Sequence, residues 1–454
     1  MGIEENIASE ESNMHSLANK NNNNLENEIF SSSSLHIKED EVDRDDDYNP
    51  VLGDDIDFKT GSILIVLTIA LLFPYQSFLS ALDYFAIIYP DLYSSSTIPF
   101  VYMVMLTIAF IVVLRFSNKI NHKYNILFGF MVFVVTMIII PLLNLTKVGG
   151  SFGSYIVTVV LIGVASFFDG LVQTSVYAIA GLFGPQYSIS CQVGNGLSGV
   201  IVIVIRIIIK LSFKDQDQGN KIGVIVFFSV GVVFIIFAGL LFIHLLRSPL
   251  GEIIMKKNKK KDIELKNNEV DNTFSQNADI KTVNPSPLRY VWNNNYQYFI
   301  PVSFIFILTL LLFPSIIMQI PLKSIPKDWS MVAVIAVFNL FDFVGKSVPL
   351  FYKRKNYSLK LIWFLSFSRT IFIILFFISI YIKSFRDVSM VFIFIAIFAF
   401  TNGYTASICM AEAPKRVLLN YKELSSIFIS FGIDLGLLMG AVLNLILTLL
   451  LKFK

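Results

Sequence analysis

KIGVIVFFSVGVVFIIFAGLLFIHLL, residues 221–246, is the stretch on which the fold turns. Between Lys221 and His244 no side chain carries a charge. A helix rises about 1.5 Å per residue, so a bilayer core of about 30 Å takes ~20 apolar residues. This run is long enough to cross and too apolar to stay wet. The next residues are its opposite: RSPLGEIIMKKNKKKDIELKNN, residues 247–268, opens a polar stretch reaching residue 296. A membrane helix thus gives way to a long hydrophilic connection near the middle of the chain.

The rest of the 454 residues repeats the pattern. Hydrophobic residues make up 55% of the chain and charged residues 15%, against ~25% charged in soluble domains. Phenylalanine alone occurs 43 times. A soluble enzyme, a nucleic-acid binder and a secreted scaffold are excluded, because none could hide this much apolar side chain from water. Two cysteines and four scattered histidines supply neither a disulfide framework nor a metal or catalytic cluster. No metal and no cofactor is expected.

Apolar runs lie at about 61–88, 98–116, 124–145, 154–182, 188–211 and 221–246, then at 297–320, 329–351, 359–383, 388–411 and 423–451. The predicted fold is an all-α polytopic membrane protein with eleven spans, six before the polar connection and five after it. The organisation expected is an acidic disordered cytoplasmic tail (1–57), a six-helix bundle (58–246), a flexible basic loop (247–296) and a five-helix bundle (297–454). The tail has no apolar h-region and does not read as a signal peptide. Lysines 256, 257, 259, 260 and 261 form a juxtamembrane cluster suited to anionic lipid. With the N-terminus cytoplasmic, inside loops hold 19 Lys and Arg against 10 outside, so the bias puts the N-terminus in and the C-terminus out. Two bundles around a central loop is a transporter layout.

Charged side chains within spans are costly, about 2.5–3.5 kcal/mol each at mid-bilayer on insertion scales. They are Asp83, Asp169, Arg206, Asp342, Lys346, Arg369 and Asp434. Asp342 and Lys346 are four apart, share a helix face and can pair, either as a structural ion pair or as a polar face of a central cavity beside Asn339. Asp169 and Gln173 repeat that spacing. The Gln173 amide offers two donors and an acceptor, which suits the edge of a heterocyclic base and equally suits helix–helix bonding. Pro74 kinks the first span just before Tyr75 and Gln76, where a ring and an amide stand together. Small residues cluster at Gly181–Gly199 and at Gly432, Gly436 and Gly440, spacings that let helices approach closely.

Several of these segments resemble the equilibrative nucleoside transporter family. Phe73-Pro74-Tyr75-Gln76 is similar to its first-span Pro-Trp-Asn segment. Gly170-Leu171-Val172-Gln173 and Gly194-Asn195-Gly196-Leu197-Ser198-Gly199 resemble its fourth and fifth spans. Phe338-Asn339-Leu340-Phe341-Asp342-Phe343-Val344-Gly345-Lys346 resembles the eighth-span Phe-Asn-x-x-Asp-x-x-Gly-Arg signature, with lysine in place of arginine. Ser368-Arg369, Phe400-Thr401-Asn402-Gly403-Tyr404 with Ala413-Pro414-Lys415-Arg416, and Gly436 through Val442 resemble later segments. The match runs in order through residues 61–451.

The resemblance implies a fold like the major facilitator class and facilitated diffusion of purine nucleosides, with free bases as further cargo. The Asn, Lys, Ile and Phe bias fits an AT-rich protist genome, and a plasma-membrane purine importer follows from that. Tyr75, Gln76, Leu79, Asp169, Gln173, Asp342 and Lys346 are the expected substrate contacts. Arg369, Asn402, Gly199 and Gly436 are expected to serve gating or packing. The partners expected are a small-molecule substrate and lipid, with no nucleic acid and no obligate protein. Two rivals stand: a proton-coupled symporter using Asp83, Asp169 and Asp434, and a non-transporting sensor or scaffold acting through the acidic tail.

Overall fold

A computed structural model of the chain describes residues 57–89, 92, 94–116, 120–145, 150–213, 216–248, 251–252, 286–322, 325–352 and 357–451. The expected tail up to residue 56, the lysine cluster at 256–261 and the side chain of Asp83 lie outside the described residues. The elements are helical, and eleven of them are long and apolar enough to cross a membrane. They are α1 (Phe58–Ser80), α2 (Ser94–Arg115), α3 (His122–Leu145), α4 (Phe152–Phe183), α5 (Pro185–Ser212), α6 (Gln216–Leu246), α7 (Pro287–Leu312), α8 (Lys327–Phe351), α9 (Leu359–Ser368 and Ile371–Tyr381), α10 (Val388–Glu412) and α11 (Lys422–Leu451).

Helix ends obey local chemistry. Asp57 caps α1 by accepting from the amides of Lys59 and Thr60. The hydrogen bond from the Thr60 hydroxyl, stronger than the opposing effect of partial burial, holds the Asp57 carboxyl below its ordinary range. Ser151 caps α4 and Asp387 caps α10 in the same manner. Between α4 and α5 stands the single residue Gly184, at φ 130°, a backbone conformation open to glycine alone at little strain. Pro185 then starts α5 with a φ already suited to a helix.

Three expectations about element limits need correction. Helix α7 begins at Pro287, so residues 287–296, expected to belong to the flexible loop, are helical. The Asn-rich turn extends α7 beyond its apolar window because Asn295 is fully buried and bonds to Ser425 of α11 at 2.6 Å. The first apolar run is two helices, α1 and a short helix Leu82–Ile88, separated at Ala81. Span α9 is likewise divided around Arg369.

Within the first six spans, α1 packs on α5 and α6, and α4 on α2 and α3; among the last five, α8 packs on α10 and α7 on α11. The α8–α10 crossing is very close, since a Cβ on Gly345 would strike the Phe400 carbonyl oxygen and one on Gly403 that of Asp342. Gly436 lies equally tight on the Ser303 carbonyl of α7. Large apolar side chains such as Val233, Leu240 and Ile374 stay exposed, as lipid-facing surfaces require.

The two groups of helices meet along a seam. Helix α2 runs against α11, with Val113 and Ala178 packed on Ile427 and the Phe110 and Phe431 rings 6.1 Å apart. Helix α5 runs against α8 and α10, where Ile189 and Val193 cluster with Ala411. At the end carrying the α2–α3, α4–α5 and α10–α11 connections, His122 Nε2 lies 3.9 Å from Glu423. The same end has Ser426 pressed against Gly181. The halves are therefore closed upon each other at that end.

Candidate functional site

Two polar constellations sit on the seam. The first is centred on α8. Asp342 and Lys346 pair as their spacing predicts, with Oδ2 2.7 Å from Nζ. Both are nearly sealed from solvent, at 7% and 4% exposure, so their partners decide whether the burial is tolerable. Lys346 Nζ also donates to Asn195 Oδ1 of α5 at 3.2 Å, and the other Asp342 oxygen accepts from Asn402 Nδ2 of α10 at 2.9 Å.

The chain of bonds continues inward. Asn402 Oδ1 accepts from Thr309 Oγ1 of α7 at 2.9 Å. Thr309 in turn accepts from Arg369 Nη2 at 2.8 Å. Arg369, fully buried at the break in α9, also donates to Thr401 Oγ1 and the Phe398 carbonyl and stacks over the Phe398 ring. One network thus ties α5, α7, α8, α9 and α10 to the Asp342 carboxylate. Arg369 and Asn402 hold the network from behind the pair, Asn402 bonding Asp342 directly and Arg369 acting through Thr309. Gly199 is where α5 gives up a side chain so that Asn339 can donate to its carbonyl at 3.0 Å.

The second constellation faces α4 toward α11. The Tyr102 hydroxyl of α2 donates to Asp169 Oδ2 at 2.6 Å, and the Tyr75 ring lies 4.8 Å from the Tyr102 ring. Tyr75, Tyr102 and Asp169 thus form a row. One turn along α4, Gln173 Nε2 reaches Ser430 Oγ of α11 at 3.4 Å. One turn along α11, Asp434 Oδ2 stands 2.8 Å from Thr107 Oγ1 of α2. Tyr75, Gln76 and Leu79 are half-buried, so α1 presents a partly open surface next to this row.

The structure therefore brings together Tyr75, Asp169 and Gln173 on one side of the seam and Asp342 with Lys346 on the other. Sequence reasoning missed Tyr102, Thr107, Asn195, Thr309 and Ser430, all of them bonded to residues that it singled out or that hold them. Hydroxyls and an amide in apolar runs are inexpensive to insert and carry no distinguishing signal. Among the described residues no group of three or more His, Cys, Asp and Glu could hold a metal ion.

Eleven helices of membrane-spanning length stand in two facing groups, with buried charges at their seam. Solved structures share this arrangement. The proton:xylose symporter XylE superposes with a TM-score of 0.60 at 12% identity, covering 87% of this chain and 89% of that one. The major facilitator transporter FucP in its outward conformation gives 0.51 at 11% identity, covering 87% and 98%. The fold is that of the major facilitator superfamily.

Residues 156–449 match the family described as nucleoside transporter, and the chain belongs to that family. It is 25% identical over 386 residues to equilibrative nucleotide transporter 1 of Arabidopsis thaliana, covering 84% of each chain. To equilibrative nucleotide transporter 8 of the same plant it is 26% identical over 382 residues, covering 82% of this chain and 91% of the relative. The protein is a multi-pass membrane transporter, with the fold and family of transporters and not of enzymes.

Proposed function

We propose that the protein carries purine nucleosides, adenosine among them, and free purine bases across the plasma membrane by alternating access, down the substrate's own gradient. The observation that carries this reading is the placement of hydrogen-bonding groups from both halves on one seam. Gln173 comes from α4, Asp342 and Lys346 from α8, and the bonds that occupy them cross between halves. A carrier needs its substrate contacts divided in this way, so that rocking of the halves remakes the site facing the other side.

The roles follow from chemistry. The 3.4 Å bond from Gln173 to Ser430 is long and readily exchanged for one to a base edge. Tyr75 and Leu79 flank the planar ring, with Gln76 beside them, and Asp169 fixes the Tyr102 ring on which Tyr75 rests. Asp342, oriented by Lys346 and Asn402, accepts from ribose hydroxyls or a base N–H. Gly199 and Gly436 let α5 and α11 move close to their neighbours. The N-terminus is cytoplasmic, so the closed end faces the cytoplasm.

The names of the relatives refer to nucleotides, and the charges here favour the uncharged nucleoside. Lys346 is already bound to Asp342 and Asn195, and Arg369 to Thr309 and Thr401. A phosphate would have to draw Lys346 out of its buried ion pair with Asp342. Uptake of labelled adenosine into cells or vesicles containing the protein, with competition by nucleosides, bases and nucleotides, tests the reading. Competition by AMP as strong as by adenosine would overturn the preference for nucleosides.

A further inference from the structure

Asp434 has no part in the substrate site just described, yet it is 1% exposed in the middle of α11. Asp169, across the seam on α4, is equally buried. Each carboxylate has one oxygen near a hydroxyl, Tyr102 for Asp169 and Thr107 for Asp434. The second oxygen of each, Oδ1, is buried without any partner. Neither forms an ion pair among the described residues.

The groups packed around them are neutral. They are Tyr75 from α1, Tyr102 and Thr107 from α2, Gln173 from α4, and Ser430 from α11. The α7 residues against this part of α11 are Phe299, Ser303 and Phe306. Two carboxylates without an ion-pair partner, each buried between helices one turn from the bonded Gln173 and Ser430 and each with an unbonded oxygen, are costly to keep ionised together.

Proton counting at Thr107 points the same way. Its hydroxyl lies 2.9 Å from the Met103 carbonyl and 2.8 Å from Asp434 Oδ2. A hydroxyl has one proton to give and two lone pairs to accept with. Both contacts are fully satisfied when Thr107 donates to Met103 and Asp434 Oδ2, carrying a proton, donates to Thr107.

We propose that Asp169 and Asp434 form a proton-binding site between the two halves, filled while the cytoplasmic end is closed and emptied when it opens. Opening that end separates α11 from α2 and α4, breaks the Thr107–Asp434 and Gln173–Ser430 bonds and lets water reach the carboxylates. The proton then leaves to the cytoplasm. In the closed form both carboxylates are sealed, so the proton returns from the side it left. It does not cross the membrane, and substrate still moves down its own gradient.

Linkage gives the direction. The closed form binds more protons than the open form, so acidifying the cytoplasm favours the closed form and alkalinising it favours opening. One proton shifts the equilibrium by up to about tenfold per pH unit. The release of the proton on opening, its sidedness and the transport readout rest on the carrier reading; the bound proton itself does not.

The test uses the full chain in lipid vesicles. The infrared difference between wild type and Asp434→Asn should contain the carbonyl stretch of a protonated carboxylic acid. Equilibrium exchange of labelled adenosine, with equal pH on both sides, should vary several-fold from mildly acidic to mildly alkaline pH in wild type. In Asp434→Asn, a permanent mimic of the neutral form, exchange should be flat. Thr107→Val, which removes the acceptor for the Asp434 proton, should shift the carboxylic-acid band and serves if the asparagine variant is poorly folded. An imposed pH gradient should not drive adenosine above equilibrium. Absence of the band, an unchanged pH profile in Asp434→Asn, or gradient-driven accumulation would each overturn the proposal. If wild type exchanges no adenosine, the infrared result still judges the proton site while the carrier reading fails separately.

Discussion

Replacing Asp342 with leucine strands the Lys346 ammonium, which sits 2.7 Å from that carboxylate at 4% exposure. Breaking a buried pair by removing one partner costs about 3–5 kcal/mol. Lys346 keeps its bond to Asn195 at 3.2 Å, which places the expected loss near the lower figure, about 3 kcal/mol. Removing both charges, in Asp342→Leu with Lys346→Leu, eliminates the stranded cation. It leaves Asn402 and Asn195 each short of one partner, at ~1–3 kcal/mol apiece, against a gain of about 1–4 kcal/mol from apolar packing. The double variant should therefore be more stable than the single by about 1–2 kcal/mol and still transport no adenosine. Thermal unfolding in detergent reads the first quantity; uptake at matched surface expression reads the second. Asp342→Asn is the sharper companion, because it keeps shape and hydrogen bonding and loses only the charge. Normal uptake by the double variant would refute the reasoning, reduce the pair to scaffolding and confine the site to Tyr75 and Gln173.

Other outcomes follow from the same geometry. Gln173→Ala removes the amide offered to the base edge and should lower purine uptake roughly tenfold or more with surface expression unchanged; normal kinetics would remove Gln173 from the site. Lys346→Arg supplies a planar fork in place of a point charge, and should preserve transport while changing the ranking of nucleosides against free bases in competition assays. Gly345→Ala puts a methyl group into the Phe400 carbonyl and should destabilise the α8–α10 crossing by about 1–3 kcal/mol, seen as a lower unfolding temperature.

The membrane architecture was legible because apolar length is a strong signal: each span was evident, and the errors were at ends and breaks. Helix α7 starts ten residues early because Asn295 is buried by its bond to Ser425 on a distant helix, which local hydropathy cannot register. The interruption of α9 accompanies Arg369, whose partners Thr309, Phe398 and Thr401 come from two other spans. The Asp342–Lys346 pair was readable since i,i+4 neighbours on a helix need no tertiary knowledge. Asp434 could be noticed as costly but not explained, because its partner Thr107 is 327 residues away. Tyr102 and Asn195 stayed hidden for the same reason: polar residues of modest cost acquire meaning only from what the fold sets opposite them.

Carriage by alternating access is the central claim, and counterflow tests it most directly. Vesicles containing the purified protein are preloaded with unlabelled adenosine and diluted into a trace of labelled adenosine. A carrier that exchanges one site between two faces draws label inward transiently above its equilibrium level, with no ion gradient, and Gln173→Ala should abolish the overshoot. Label that only approaches equilibrium, or an overshoot equal in wild type and Gln173→Ala, would contradict the account.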